Sequence, residues 1–509
     1  MYTFSSKLKT FSFVLMLLGA IGIGVGFFNA PKNIEEAQKM IEAENHGGHG
    51  ETTHENASEN HEMPAVQKAT KHVEEKAHET HTGTLHDTTA LAAVIEKEVN
   101  QPADAKVTTV AAPVEAVHEQ HATSSHKTHE ADAHAEHEKH MEHQFHQLQN
   151  KPWAALYVAC LFIMLISLGA LAFYAIQQVA QAGWSPVLFR VMQGITAYLP
   201  VGSVIFFILL VVLALTVPLH YNHLFIWMDE DVVKADKIIA AKSGYLNVPF
   251  WLIRAAIFLI GWNLYRFYSR KNCLAQDESN DNTFYKKNFK LSAAFLVFFI
   301  VTESIMSWDW IMSIDPHWFS TLFGWYVFAS FFVSGITTIA MVTLYLKSKG
   351  YLEYVNTSHI HDLAKFMFGI SVFWTYLWFS QFMLIWYANI PEEVTYFITR
   401  IEDYNLPFFG MVVMNFVFPI LILINTDFKR LTWVLVMAGT IILLGHYVDF
   451  FNMIMPSAVG DQWFIGIPEI GSLLFFIGLF LYVVFNALTK SPLLPKRNPF
   501  IEESKHFHY

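Results

Sequence analysis

Cysteine is nearly missing from this chain: 509 residues hold two, Cys160 inside an apolar run and Cys273 in a basic loop. That excludes a disulfide framework and a zinc-thiolate pattern, and without a C-x-x-C-H motif there is no covalent haem attachment. Charge is scarce as well. Asp, Glu, Lys and Arg make up 15% of the residues against 53% hydrophobic and 16% aromatic, which is more apolar side chain than one soluble core can hide. The chain also lacks a P-loop, a Gly-rich dinucleotide fingerprint and a serine nucleophile elbow, which removes the chemistries those motifs serve. No nucleic-acid partner is expected.

What is present is a rhythm of apolar runs of about 20 residues, each long enough to cross a bilayer as a helix. The candidate spans are Phe11 to Ala30, Trp153 to Gln178, Tyr198 to Val217, Phe250 to Phe267, Leu291 to Met312, Phe319 to Leu346, Leu363 to Asn389, Pro407 to Asn425, Leu431 to Phe451 and Pro468 to Leu488. Backbone polar groups in hydrocarbon can be satisfied within one segment only by a helix. The expected fold is therefore an all-α polytopic membrane protein with ten transmembrane helices, surrounded by phospholipid.

Lys and Arg in short loops tend to stay cytoplasmic. One side receives Lys7, Lys9, Arg190, the cluster from Arg266 to Lys290, Lys347, Lys349, Lys429, Arg430, Lys490, Lys496 and Arg497. The other receives Asp229, Glu230, Asp231, Asp315, Glu392, Glu393, Glu402, Asp403 and Asp461. This pattern predicts both termini in the cytoplasm. The first span has signal-peptide character, but Phe28 and Pro31 make a poor cleavage site around Ala30, so an uncleaved anchor is expected.

Residues 31–150 differ in kind: they carry most of the 25 histidines and few large apolar residues. Such a segment cannot bury enough surface to offset its ordering entropy, so it reads as a mostly disordered outer tether. Within it His134, His137, His140, His143 and His146 recur every three residues. On a helix they form a drifting face able to capture Zn or Cu, without one fixed tetrahedral site.

Ionisable groups inside membrane helices are costly and are functional candidates by default. The fifth span and its outer end carry Glu303, Asp309, Asp315 and His317, within Glu303-Ser-Ile-Met-Ser-Trp-Asp-Trp-Ile-Met-Ser-Ile-Asp-Pro-His317. From the basic cluster at Lys290, Glu303 lies about 20 Å deep and Asp309 about 28 Å. The ninth span carries His446 and Asp449, three apart and so on one helix face. Since imidazole titrates near neutrality, this pair suits proton uptake from a quinol or proton release outward. Arg254, Asn263, Gln381, Asn415 and Asn425 are further polar groups. Against these stand bland readings: Asp309 and Asp315 as helix caps, and His446 with Asp449 as a structural pair. His446 is the sole histidine well inside a candidate span, so facing ligands for a b-type haem are not expected. Trp308, Trp310, Trp318, Trp325, Trp374, Trp378 and Trp386 read as interface anchors.

The stretch Trp308-Asp-Trp-Ile-Met-Ser-Ile-Asp-Pro-His-Trp-Phe-Ser-Thr-Leu-Phe-Gly-Trp-Tyr326 resembles the second NrfD-like membrane subunit, ActF, of bacterial alternative complex III, and the likeness covers residues 150–490. The resemblance implies two four-helix bundles, spans two to five and six to nine, flanked by the first and tenth. Read with the change in composition, the chain divides into an anchor (1–30), the His-rich segment (31–150), an NrfD-like helical domain (151–490), which alone carries the likeness, and a tail (491–509). It also implies a subunit of a quinol:cytochrome c or oxidase complex in the bacterial cytoplasmic membrane. The partners would be an ActC-like membrane subunit, an iron–sulfur subunit, multihaem cytochrome c subunits and a terminal oxidase. Quinone or menaquinol would be the ligand, with no redox cofactor on this chain. Proton half-channels in such subunits make Glu303, Asp309, His446 and Asp449 candidate positions, chosen by their chemistry. Two rival readings remain: a metal or solute transporter with a His-rich collecting loop, and a purely structural anchor.

Overall fold

A computed structural model describes residues 2–47 and 122–508, with side chains described up to residue 42 and from residue 140. It divides into two units, one of residues 1–41 with 137–509 and one of residues 42–136. In the smaller unit the described residues, 42–47 and 122–136, are helical.

The larger unit contains ten helices long and apolar enough to cross a membrane, and no strand among its described residues. They are α1 (Ser6–Phe28), α2 (His140–Val179), α3 (Tyr198–Thr216), α4 (Val248–Gln276), α5 (Thr283–Trp310), α6 (Phe323–Ser348), α7 (Thr357–Ala388), α8 (Asn405–Leu423), α9 (Thr432–Val459) and α10 (Ile467–Leu488). This is an all-α polytopic membrane protein. Local chemistry sets several ends. Asn247 accepts from the N–H of Phe250 at 3.0 Å to start α4, and Asn356 accepts from the N–H groups of Ser358 at 2.9 Å and His359 at 3.3 Å to start α7.

Packing arranges the helices as two groups. α4 packs on α3 and α5, while α6, α7, α8 and α9 pack on one another, and α5 joins α6. Helices α2 and α6 are mostly buried, and they cross at glycines: a Cβ on Gly335 would stand 2.6 Å from the backbone N of Ala170 and 2.7 Å from the carbonyl carbon of Gly169. Glycine is required there because the two backbones nearly touch. The outermost spans α1 and α10 pair with each other along Gly22, Gly26, Gly471 and Gly478; a Cβ on Gly22 would lie 2.7 Å from the Cα of Gly471.

Both termini lie at the same end of the bundle. The hydroxyls of Thr3 and Tyr351 are 2.8 Å apart, and the Asn356 amide donates to the Phe507 carbonyl at 2.6 Å. Arg497 donates to the Ser279 carbonyl at 2.7 Å, beside the Arg190–Asp277 ion pair at 2.5 Å. At the opposite end Asn150 bonds the Ala458 carbonyl at 3.0 Å, Tyr404 the Gly460 carbonyl at 2.5 Å and Trp318 the Glu393 carbonyl at 3.2 Å. These contacts sort the loops into the same two sets as the charge bias.

Two expectations need correction, and a third falls mostly outside the described residues. Within 31–150, residues 34–47 and 122–150 are helical, and residues 48–121 lie outside the described residues. The end facing the acidic loops also carries Lys234, Lys237, Lys242 and Arg400, so its bias is weaker than the tally of acids suggests. Of the tryptophans read as anchors, Trp310 and Trp374 are wholly buried, whereas Trp325 and Trp386 are exposed as anchors should be.

Candidate functional site

A buried polar cluster inside the spans is built by α6, α7 and α9. Tyr326 and Ser330, one turn apart on α6, both donate to Asp449 on α9: the phenol to Oδ1, the serine hydroxyl to Oδ2 at 2.7 Å. From α7, Trp374 Nε1 donates to the same Oδ2 at 2.8 Å. His446 lies one turn before Asp449, with Nδ1 3.0 Å from the Ser330 hydroxyl and 3.4 Å from Asp449 Oδ2. All five side chains are buried or nearly so. The spacing of three brought His446 and Asp449 together as expected. Tyr326, Ser330 and Trp374 were missed, although Tyr326 and Ser330 carry a signal: hydroxyls four apart on an otherwise apolar face.

α8 completes the cluster through a break in its own geometry. Residues Val413–Val417 form a π-helical turn between two α segments, with Pro419 just beyond. The widened turn holds buried Asn415 with Nδ2 3.4 Å from His446 Nδ1, and such bulges recur where a side chain must be re-aimed. Gly445 makes the approach possible, because a Cβ there would stand 2.7 Å from Met414 Cβ. His446 Nε2 and Asn415 Oδ1 have no hydrogen-bond partner among the described residues. A buried imidazole nitrogen left open in this way can take up and pass on a proton, and the open amide oxygen can accept a hydrogen bond.

One turn beyond Asp449, Arg400 from the helix Pro391–Glu402 is buried at 3% exposure. It donates to the carbonyls of Asn452 at 2.9 Å and Tyr396 at 2.8 Å and lies over the Tyr396 ring at 3.4 Å. It makes no ion pair among the described residues. It was not anticipated, since it sits on a short amphipathic helix between spans.

The other candidates separate. Asp309 is fully buried and paired bidentately with Arg254, Nε to Oδ2 at 2.6 Å and Nη2 to Oδ1 at 2.9 Å. The guanidinium is sandwiched near the rings of Tyr245 at 4.0 Å and Phe250 at 4.2 Å. Asp309 is therefore a membrane ion pair and not a helix cap. Glu303 stands apart on α5: it is 1% exposed, Oε1 accepts from the Ser304 hydroxyl at 2.8 Å, and Oε2 has no partner among the described residues. Glu469 on α10 was also missed; it is buried and closes its own helix start by accepting from the N–H of Gly466 at 2.8 Å.

Asp315 and His317 sit at the surface. The His317 ring meets Asp236 at 2.6 Å, and the backbone N–H of His317 donates to Asp315 at 3.2 Å. The His317 ring and the N–H of Ile239 hold the Asp236 carboxyl below the usual carboxylate range. Beside them a cavity of about 440 Å³ is lined by Lys242, Tyr245, Trp308, Asp315, Trp318 and Phe319 among others. A second, more apolar groove of about 470 Å³ opens between α3 and α4 around Ser203 and Asn263. Of the weak metal candidates, His140 and His143 are exposed and belong to no ligand-like grouping among the described residues, while the side chains of His134 and His137 lie outside them. Comparison with models of known protein families and with curated proteins finds no match.

Proposed function

We propose that this chain is a membrane subunit of a quinol-oxidising electron-transfer complex of the alternative complex III type, set in a bacterial cytoplasmic membrane with both termini inside. Its own task in this reading is to move the protons that quinol oxidation releases. Electrons would pass through iron–sulfur and multihaem partner subunits, beside an ActC-like membrane subunit. One observation carries the reading: a carboxylate inside the spans, Asp449, is held only by neutral donors and a nearby imidazole whose Nε2 is open. Such a set can change its protonation without breaking an ion pair. Burying it costs free energy that a mere anchor has no reason to spend.

Supporting observations extend the path in both directions. Asn415, carried by the π-helical turn of α8, brings its amide to His446 Nδ1, and Arg400 supplies a fixed positive charge one turn beyond Asp449, where it would discourage protons from lingering. Glu303 is a second buried carboxyl without a cation, a candidate entry from the neighbouring helix group.

The test is made on the purified complex. Haem-bearing subunits should co-purify with the chain, and isolation of the chain alone would remove the reading. In the assembled complex Asp449→Asn should lower quinol oxidation by about tenfold or more, the usual range for loss of a positioned proton carrier, and Glu303→Gln should lower it less. Unchanged turnover in both variants would leave a structural anchor.

A further inference from the structure

The end of the bundle that carries the acidic loops holds a second cluster, which the proton path does not use. After α3 the chain turns through His220 and His223 to Asp229, and the ligand atoms of these three residues all lie within 4.8 Å of one another. His146, the last of the evenly spaced histidines, enters from α2 and places its ring 3.8 Å from that of His223. We propose that His220, His223 and Asp229, with His146 as the fourth ligand, bind a divalent first-row transition-metal ion, with Zn²⁺ the best match.

The donor set fits that ion. Three imidazole nitrogens and one carboxylate oxygen are standard Zn²⁺ ligands, and a tetrahedron with bonds of about 2.0 Å needs donor atoms about 3.3 Å apart. The donors of His220, His223 and Asp229 already lie within 4.8 Å of one another, and binding would draw them and the neighbouring His146 together around the ion. Two of the nitrogens are available now: His146 Nδ1 and His223 Nε2 are shielded from solvent and have no hydrogen-bond partner among the described residues. A buried polar atom left open ordinarily signals a missing partner. Asp229 uses Oδ1 to accept from the N–H of Asp231 at 2.9 Å, which fixes the carboxylate and leaves Oδ2 for the ion.

The surrounding backbone is held as an outer shell would hold it. Asn150 accepts from the N–H of His223 at 2.6 Å, and Asn222 donates to Thr216 Oγ1 at 2.6 Å while accepting from the N–H of Leu224 at 3.2 Å. His220 has φ of 54°, in the left-handed region that costs a non-glycine residue energy. This strain presents an exposed imidazole to the cluster. The site thereby joins the last histidine of the His-rich row to the loop after α3, so an ion captured by the row would have a defined place to settle.

The experiment uses the full-length chain as it purifies from the membrane, with any subunits that accompany it, loaded with Zn²⁺ and then dialysed against a chelator strong enough to strip surface histidines. The wild type should retain a single equivalent by elemental analysis. The variant His220→Ala/Asp229→Asn should lose it; His220 is exposed and asparagine can still cap the helix after residue 229, so folding is spared. A variant with His134, His137, His140 and His143 all changed to alanine should keep it. As a second reading, Co²⁺ in the wild type should give a tetrahedral ligand-field spectrum that gains a thiolate charge-transfer band in His220→Cys. No retained ion in the wild type, equal retention in His220→Ala/Asp229→Asn, or loss with the four row histidines would each overturn the proposal.

Discussion

Two buried aspartates, one in each helix group, meet the same problem in opposite ways. Asp309 answers burial with a cation: Arg254 grips both oxygens, and aromatic rings cover the guanidinium. Asp449 has no such partner and is held by a phenol, a serine hydroxyl and an indole N–H, with an imidazole in reach. A bidentate ion pair fixes charge in place, since protonating either oxygen forfeits the attraction that offset its desolvation. Neutral donors leave no cation stranded when the carboxylate takes a proton. The contrast makes Asp309 one half of a buried ion pair and fits the proton-handling role proposed for Asp449, although both read alike as ionisable residues in a span.

The comparison breaks most visibly at Arg254. Arg254→Ala leaves a buried, unpaired carboxylate at Asp309 and should cost about 3–5 kcal/mol, seen as a large fall in the thermal midpoint of the solubilised protein and in its yield. Arg254→Met combined with Asp309→Leu should recover most of that loss, as replacing a buried pair with apolar groups often does. If the single variant were as stable as the wild type, the structural assignment of Asp309 would fall.

Asp449→Asn should show the reverse profile. Asparagine keeps an oxygen for the Ser330 and Trp374 donors, and the Tyr326 hydroxyl can turn to accept from the NH2 that replaces Oδ1, so the midpoint should move little. Turnover or proton release by the assembled complex should fall by about tenfold or more. Tyr326→Phe, which removes one donor and leaves the carboxylate, should fall between wild type and Asp449→Asn. A destabilised Asp449→Asn with normal specific turnover would make the two aspartates equivalent after all.

How much of this could be read from the chain follows from which interactions are local. The ten spans were legible because each is a continuous apolar run, and the pair His446 and Asp449 because a spacing of three puts both on one face. Partners across helices were not. Nothing in sequence ties Asp309 to Arg254, fifty-five positions earlier, or marks Trp374 as a donor to Asp449 rather than an interface anchor. Aromatic girdles and buried aromatics have the same composition. The outward extension of α2 was hidden for a different reason: its polar histidine-rich turns carry no apolar period. Asn415 was noticed as a polar residue, but the π-helical turn that aims it has no sequence mark beyond the nearby Pro419.

The outer helices α1 and α10 meet the same demand at a smaller scale, since among the described residues no ion pair joins them. Gly22 faces Gly471 so closely that a side chain cannot enter. Gly22→Leu should cost about 1–3 kcal/mol through overpacking, lowering the thermal midpoint. Leucine at Gly24, where a Cβ would meet nothing within 4 Å, should be neutral. Equal effects at both positions would mean that α1 is held by lipid and not by α10.

The smallest expected effect concerns the exposed contact between Asp236 and His317, a third way to hold an acid. Asp236 also caps a short helix by accepting from the N–H groups of Ile238 at 2.8 Å and Ile239 at 3.2 Å. Asp236→Asn preserves the cap and removes only the charge. Because the folded carboxyl lies below the usual range, its contribution should be complete above about pH 5 and vanish as the pH falls below about 4, through the depressed value. Wild type and Asp236→Asn should therefore differ slightly in thermal midpoint near pH 5 to 6 and converge in acid. A difference that widened on acidification would reverse the sign and show that the His317 ring does not favour the charged carboxylate; a surface pair that water screens is expected to stay well below the Arg254–Asp309 effect at every pH.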